Sequence, residues 1–100
     1  DAIITDNFIT LRDLRNAEDE RICRYTESLN ADQLAGRFTY TTISDMRTMS
    51  QRLAPSLAHL FNHQTHHRGQ IHAALTRLGT DAPSLDLSQF QRSEGGRRFA

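Results

Sequence analysis

Residues 59–79 read HLFNHQTHHRGQIHAALTRLG, and four of the chain's five histidines, His59, His63, His66 and His67, crowd its first half. At about 100° per residue, Leu53, Leu57, Leu60, Ile71, Leu75 and Leu78 fall on one stripe. That stripe predicts a long amphipathic helix. Its start lies between Ser50 and Pro55, because proline suits a first helical turn and disrupts an interior. A start at Ser50 would make Pro55 a kink. Gly79, with Pro83 beyond it, marks a stop after Leu78. On the same wheel His67 sits at the edge of the apolar stripe and His63 one step further round. His59 and His66 lie further out, and His72 is on another side.

His63 and His67 are one helical turn apart, with Cβ atoms about 5–6 Å from each other. Two imidazoles so placed can reach one ion at about 2.0–2.1 Å each. His63 with His66 is also geometrically feasible, but that pair lies further from the stripe. A polar pair on a core-facing edge needs a partner, since burying polar groups is costly. Metal ligation is one partner, and hydrogen bonds to neighbouring helices are the other. The spacing invites comparison with H-E-x-x-H proteases, whose glutamate is the general base. Here that slot holds Gln64, and an amide cannot take a proton from a metal-bound water. No G-x-S-x-G, Walker loop or G-x-G-x-x-G occurs.

Working outward, Ile4, Phe8, Leu11, Leu14, Ile22, Tyr25 and Leu29 predict a first helix from about Asp6 to Leu29, with Asp6 as N-cap. Arg15 is at pairing distance from Glu18 or Asp19. NADQLAG (30–36) reads as a short helical turn capped by Asn30 and ended by Gly36. RFTYTTI (37–43) is extended in character, but no second strand offers itself, so no sheet is expected. APSLDLSQF (82–90) is expected to pack back on the helices, and QRSEGGRRFA (91–100) has tail composition.

One hundred residues make one domain at most, small for a self-sufficient core. Hydrophobic residues are 37% and charged residues 24%, a globular composition. Twelve basic and twelve acidic residues cancel, which argues against a nucleic-acid partner. No apolar run reaches the length of a membrane span, so no membrane partner is expected. Cys23 is the only cysteine, so a reducing, cytoplasmic setting is the default. A partly buried packing role is expected for Cys23. The chain opens at Asp1 on an apolar pattern and without Met, which reads as a fragment lacking its N-terminal part.

NHQTHHRGQ (62–70), within the long C-terminal helix, resembles the last helix of the DinB-like family of metal-binding four-helix-bundle proteins. LRDLRNAEDERICRYTESLNADQL (11–34) resembles an earlier helix of that family, so the resemblance extends over most of residues 5–90. It implies an all-α, up-down helical bundle. This chain would be its C-terminal portion, with two long helices and a short connecting helix over residues 1–91, followed by a flexible tail at 92–100.

The resemblance also implies a divalent ion held by three histidines, two of them His63 and His67. No histidine precedes His59, so the third is expected from an upstream helix outside this sequence. Three imidazoles leave an open position. Zinc or nickel is the expected ion, though iron or manganese also accepts such ligands. A low-molecular-weight thiol cofactor, a small-molecule substrate and a homodimer are implied in turn. The functional expectation is a metal-dependent thiol transferase or related enzyme. The alternative is a non-enzymatic stress-response bundle whose ion is structural or sensory. His59 and His66 are candidates for the shell around the ligands, and no catalytic residue is assigned. Asn62 and Gln70 are expected to bond neighbouring helices, and Arg68 to form a structural ion pair. Gly69, unfavourable inside a helix, is expected to face a close backbone.

Overall fold

The computed structural model describes residues 3–100. The chain's opening at Asp1 and Ala2 lies outside the described residues. The elements run α1 (Phe8–Ser28), α2 (Ala31–Ala35), β1 (Arg37–Thr41), β2 (Thr48–Arg52), α3 (Leu53–Arg77) and α4 (Leu87–Arg92), with a 3-10 turn at Arg97–Phe99. The fold is mostly helical, with one small sheet. It divides into two compact units, Asp1–Ala54 and Pro55–Ala100.

In the first unit the helix boundaries follow local chemistry. Asn7, not Asp6, caps α1: its Oδ1 accepts from the Thr10 N–H at 2.9 Å. Asn7 N–H in turn donates to Thr5 Oγ1 at 3.1 Å. Asn and Asp cap about equally well, so only backbone position separates the two neighbours. Arg15 pairs with Asp19, while Glu18 turns instead to Arg21 at 2.7 Å. The Arg21 hydrogen bond holds the Glu18 carboxyl below its ordinary range. These pairs are exposed and contribute little to stability. Cys23 is exposed rather than partly buried, because α1 meets too little surface to cover that side. Asn30 and Gln33 close a reciprocal capping box at the start of α2, with contacts of 2.8 and 2.9 Å. Gly36 ends that helix as expected.

The expectation of no sheet is corrected here. β1 pairs antiparallel with β2, Arg37 opposite Arg52 and Thr41 opposite Thr48. The partner strand, TMSQR, is polar and lacks a run of β-branched residues, so its sequence carried little strand signal. Phe38 and Tyr40 share one face, with ring centroids 5.6 Å apart. The connecting loop is tied by the Thr42 N–H to the Arg47 carbonyl at 2.9 Å. Inside it, Thr42 Oγ1 and the Arg47 guanidinium both hydrogen-bond the Asp45 carboxylate. These contacts, the Thr42 hydroxyl first, lower the Asp45 pKa. Because β2 runs to Arg52, α3 begins at Leu53 and Pro55 falls in its first turn, without a kink. The Leu53 N–H donates to the Gly36 carbonyl at 2.9 Å.

In the second unit, α3 ends as the sequence predicts. Gly79 takes φ +78°, the left-handed conformation that favours glycine. The Thr80 N–H reaches the Leu75 carbonyl at 3.1 Å and the Gly79 N–H reaches Thr76 at 3.0 Å, the pair of bonds of a Schellman motif. The segment beyond returns to α3, with Pro83 and Leu85 set against Ile71 and Leu75. Asp86 then caps α4 by accepting from the Gln89 N–H at 2.8 Å. Past α4 the Phe99 ring stacks on Phe90 at 6.1 Å, and Gln91 Nε2 donates to the Phe99 carbonyl at 2.8 Å. Residues with tail composition are thus folded against their own helix.

No large apolar side chain is buried among the described residues. Phe8 is 76% exposed, Ile71 60% and Leu78 79%. The two stripes that identify α1 and α3 in the sequence are therefore only partly covered, with Leu53, Leu57 and Leu75 half-buried and Phe8, Ile71 and Leu78 exposed. None of the described helices is long and apolar enough to cross a membrane.

Candidate metal centre

α3 places His63 and His67 one turn apart, and their side chains meet. The two Nε2 atoms are 3.0 Å apart, and the rings stand edge to face with centroids separated by 4.4 Å. On its other edge, His67 Nδ1 lies 2.8 Å from Gln70 Oε1. An amide oxygen can only accept, so Nδ1 carries the proton and donates it to Gln70. In the neutral ring Nε2 is then bare, and its lone pair faces His63. With its hydrogen on Nε2, His63 donates to that lone pair. Replacing that shared proton by a cation requires only that His63 carry its hydrogen on Nδ1.

This arrangement fits a divalent ion as two adjacent ligands. Ring nitrogens 3.0 Å apart can both lie about 2.0–2.1 Å from one ion. A hydrogen bond that fixes the tautomer of a ligating imidazole is a regular companion of such sites. Gln70 supplies it from within α3, three residues on, whereas a contact to a neighbouring helix was expected. The available signal was that spacing, which puts Gln70 beside His67 on the helix surface.

The other histidines gather round the pair without hydrogen-bonding it. His59 stacks on His63 at 5.7 Å, and His66 lies 6.3 Å from His63 and 5.2 Å from His67 between ring centroids. All four rings are exposed. Among the described residues no group of three or more His, Cys, Asp or Glu side chains converges as a metal cage. Among the described residues no carboxylate therefore joins the pair as a third ligand.

Two expectations for neighbouring residues are corrected. The Arg68 guanidinium donates to Thr65 Oγ1 at 3.0 Å and pairs with no carboxylate among the described residues. Asp13, Glu18, Asp19 and Glu20 of α1 and Asp45 of the hairpin loop are engaged by arginines of their own segments. Gly69 has no atom within 4 Å of the position a Cβ would take, so no backbone crowds it. Its cost within the helix has no packing return here.

The fold is mostly helical and carries a histidine pair one turn apart on its longest helix. The model of the DinB family matches residues 5–98. The chain belongs to that family. Searches of curated proteins and of solved structures found no match.

Proposed function

We propose that this protein binds one divalent ion, zinc or nickel, through His63 and His67. The observation that carries the reading is the 3.0 Å approach of the two Nε2 atoms, with Gln70 holding the outer nitrogen of His67. His59 and His66 border the site and shape access to it. In this reading α1 and α3 belong to an up-down helical bundle. The exposed parts of their apolar stripes are closed by further bundle surface, with a second copy of the chain as the partner.

An ion held by two side chains of this chain keeps positions for exchangeable ligands, and it supplies Lewis acidity and a lowered pKa to a thiol or water. The reaction class that fits is transfer of a low-molecular-weight thiol to a small electrophile. The chain's own part is to orient the ligands through Gln70. The exposure of the four rings favours this exchangeable site over a closed structural or sensory one. Calorimetric titration of zinc or nickel into metal-free protein tests the binding. His63→Ala and His67→Ala are each expected to abolish it, while His59→Ala and His66→Ala retain it. Equal loss in all four variants would contradict the assignment.

A further inference from the structure

The loop between β1 and β2 turns two apolar side chains outward. Ile43 is 95% exposed, more than any other large apolar residue among the described residues, and Met46 is 73% exposed. Scattered apolar residues on a mobile loop are ordinary, but this loop is tied down. The Thr42 N–H donates to the Arg47 carbonyl at 2.9 Å, and the Arg47 N–H donates to Thr42 Oγ1 at 3.0 Å. Inside the ring so formed, Asp45 accepts from the Thr42 hydroxyl and from the Arg47 guanidinium. Met46 takes φ +54°, a left-handed conformation that is costly for a residue with a side chain. Such strain persists only where the surroundings over-determine it, and it gathers at sites of contact or chemistry. The loop therefore presents Ile43 and Met46 in a fixed shape, which lowers the ordering cost of binding.

A matching recess lies on α3. Ile71 and Leu75 of the helix, with Pro83 and Leu85 of the returning segment, wall an open cleft of about 100 Å³ whose lining is almost wholly apolar. An apolar cavity of about 150 Å³ accepts the six carbons of benzene, so this smaller cleft suits the four-carbon side chain of isoleucine. Ile71 and Leu75 also belong to the apolar stripe of α3. The cleft is thus continuous with the surface assigned above to a second copy of the chain, and its occupant is a side chain of that copy. Charge favours the same match. Arg68 borders the cleft and pairs with no carboxylate among the described residues, and Asp45 stands beside Met46, two residues from Ile43.

We infer that Ile43, held at the tip of the hairpin loop, seats in the α3 cleft of a second copy of the chain, with Met46 against the rim, and that the exchange is reciprocal about a two-fold axis. This rests on the second-copy reading proposed above and names the contact that fixes the pair. An apolar knob entering an apolar recess is enough to join protein chains, and reciprocal exchange closes the assembly at two copies where a one-way contact would build an open fibre.

Sedimentation equilibrium of the full chain reads the contact. Wild type is expected as a dimer. Ile43→Asp should raise the dimer dissociation constant about 100-fold or more, because each of the two contacts loses about tenfold or more when an isoleucine is no longer buried. Leu85→Asp, which places a charge in the cleft wall, should do likewise. Mixing the two variants should restore association in part, since the mixed pair keeps one intact loop and one intact cleft. In Ile43→Asp the hairpin amide shifts and the zinc affinity should match wild type, which separates loss of the contact from damage to the fold or to the histidine pair. A wild type that stays monomeric as its concentration rises would remove the second copy, and this inference with it. A dimer that Ile43→Asp leaves as tight as wild type would keep the second copy and overturn the loop contact. A mixture no more associated than either variant alone would overturn it as well.

Discussion

His67 uses both ring nitrogens at once: Nε2 meets His63 Nε2 at 3.0 Å while Nδ1 meets Gln70 Oε1 at 2.8 Å. One helix thus supplies two candidate ligands and the group that sets the tautomer of one of them. Gln70→Leu removes the acceptor and leaves the ring free to place its proton on Nε2. Zinc affinity is expected to fall about 10- to 100-fold, the range for losing such a supporting bond, while Gln70→Glu keeps it. Titration of the two variants against wild type checks this. Equal affinity in all three would remove Gln70 from the site.

Gly69 offers a second test, of α3 itself. The position is inside the helix, and a Cβ there meets open space. Gly69→Ala is expected to stabilise the protein by about 1 kcal/mol through helix propensity, raising Tm by roughly 4–8 °C for a chain of this size. Thermal denaturation followed by circular dichroism reads this directly. Destabilisation would mean that another backbone sits against Gly69 in the assembled protein.

The start of α1 distinguishes two adjacent residues. Asn7→Ala removes the Oδ1 acceptor of the Thr10 N–H and is expected to cost about 1 kcal/mol. Asp6→Ala removes no capping bond and should change stability little. Denaturant titration of both variants decides between them.

Acid sensitivity is expected in the hairpin. The Thr42 hydroxyl, with Arg47, lowers the Asp45 pKa from its ordinary 3.8. A carboxyl with a depressed folded-state pKa binds fewer protons folded than unfolded across that window. Its contribution is therefore complete above the ordinary pKa and is lost as pH falls through the lowered value. Asp45→Asn should weaken the Thr42–Arg47 loop near neutral pH and flatten its response as pH falls below the ordinary carboxyl value of 3.8. Amide chemical shifts of residues 42–47, followed down the acid range, check both parts.

The elements the sequence made legible are those whose signals are local. The stripe from Leu53 to Leu78 predicts α3, and Gly79, Asn30 and Gly36 stand at the boundaries they indicate. The hairpin escaped because strand pairing is non-local. β1 has aromatic and β-branched residues, but β2 is TMSQR, and the loop between them has no Asn-Gly or Asp-Gly signal. The candidate site divides the same way. The His63–His67 contact follows from helical spacing alone. The isolation of Arg68 and the open space at Gly69 depend on what lies opposite them, which periodicity does not encode. Gln70 was legible in principle, but an exposed glutamine on a helix has many ordinary uses.

The most direct test is metal content. The protein, produced without a polyhistidine tag, is assayed by elemental analysis beside His63→Ala/His67→Ala. About one divalent ion per chain in the wild type, and none in the double variant, is the expected result for a histidine-held site. Retention of the ion by the double variant, or a wild type that takes up neither zinc nor nickel while remaining folded, would contradict the metal-binding assignment of His63 and His67.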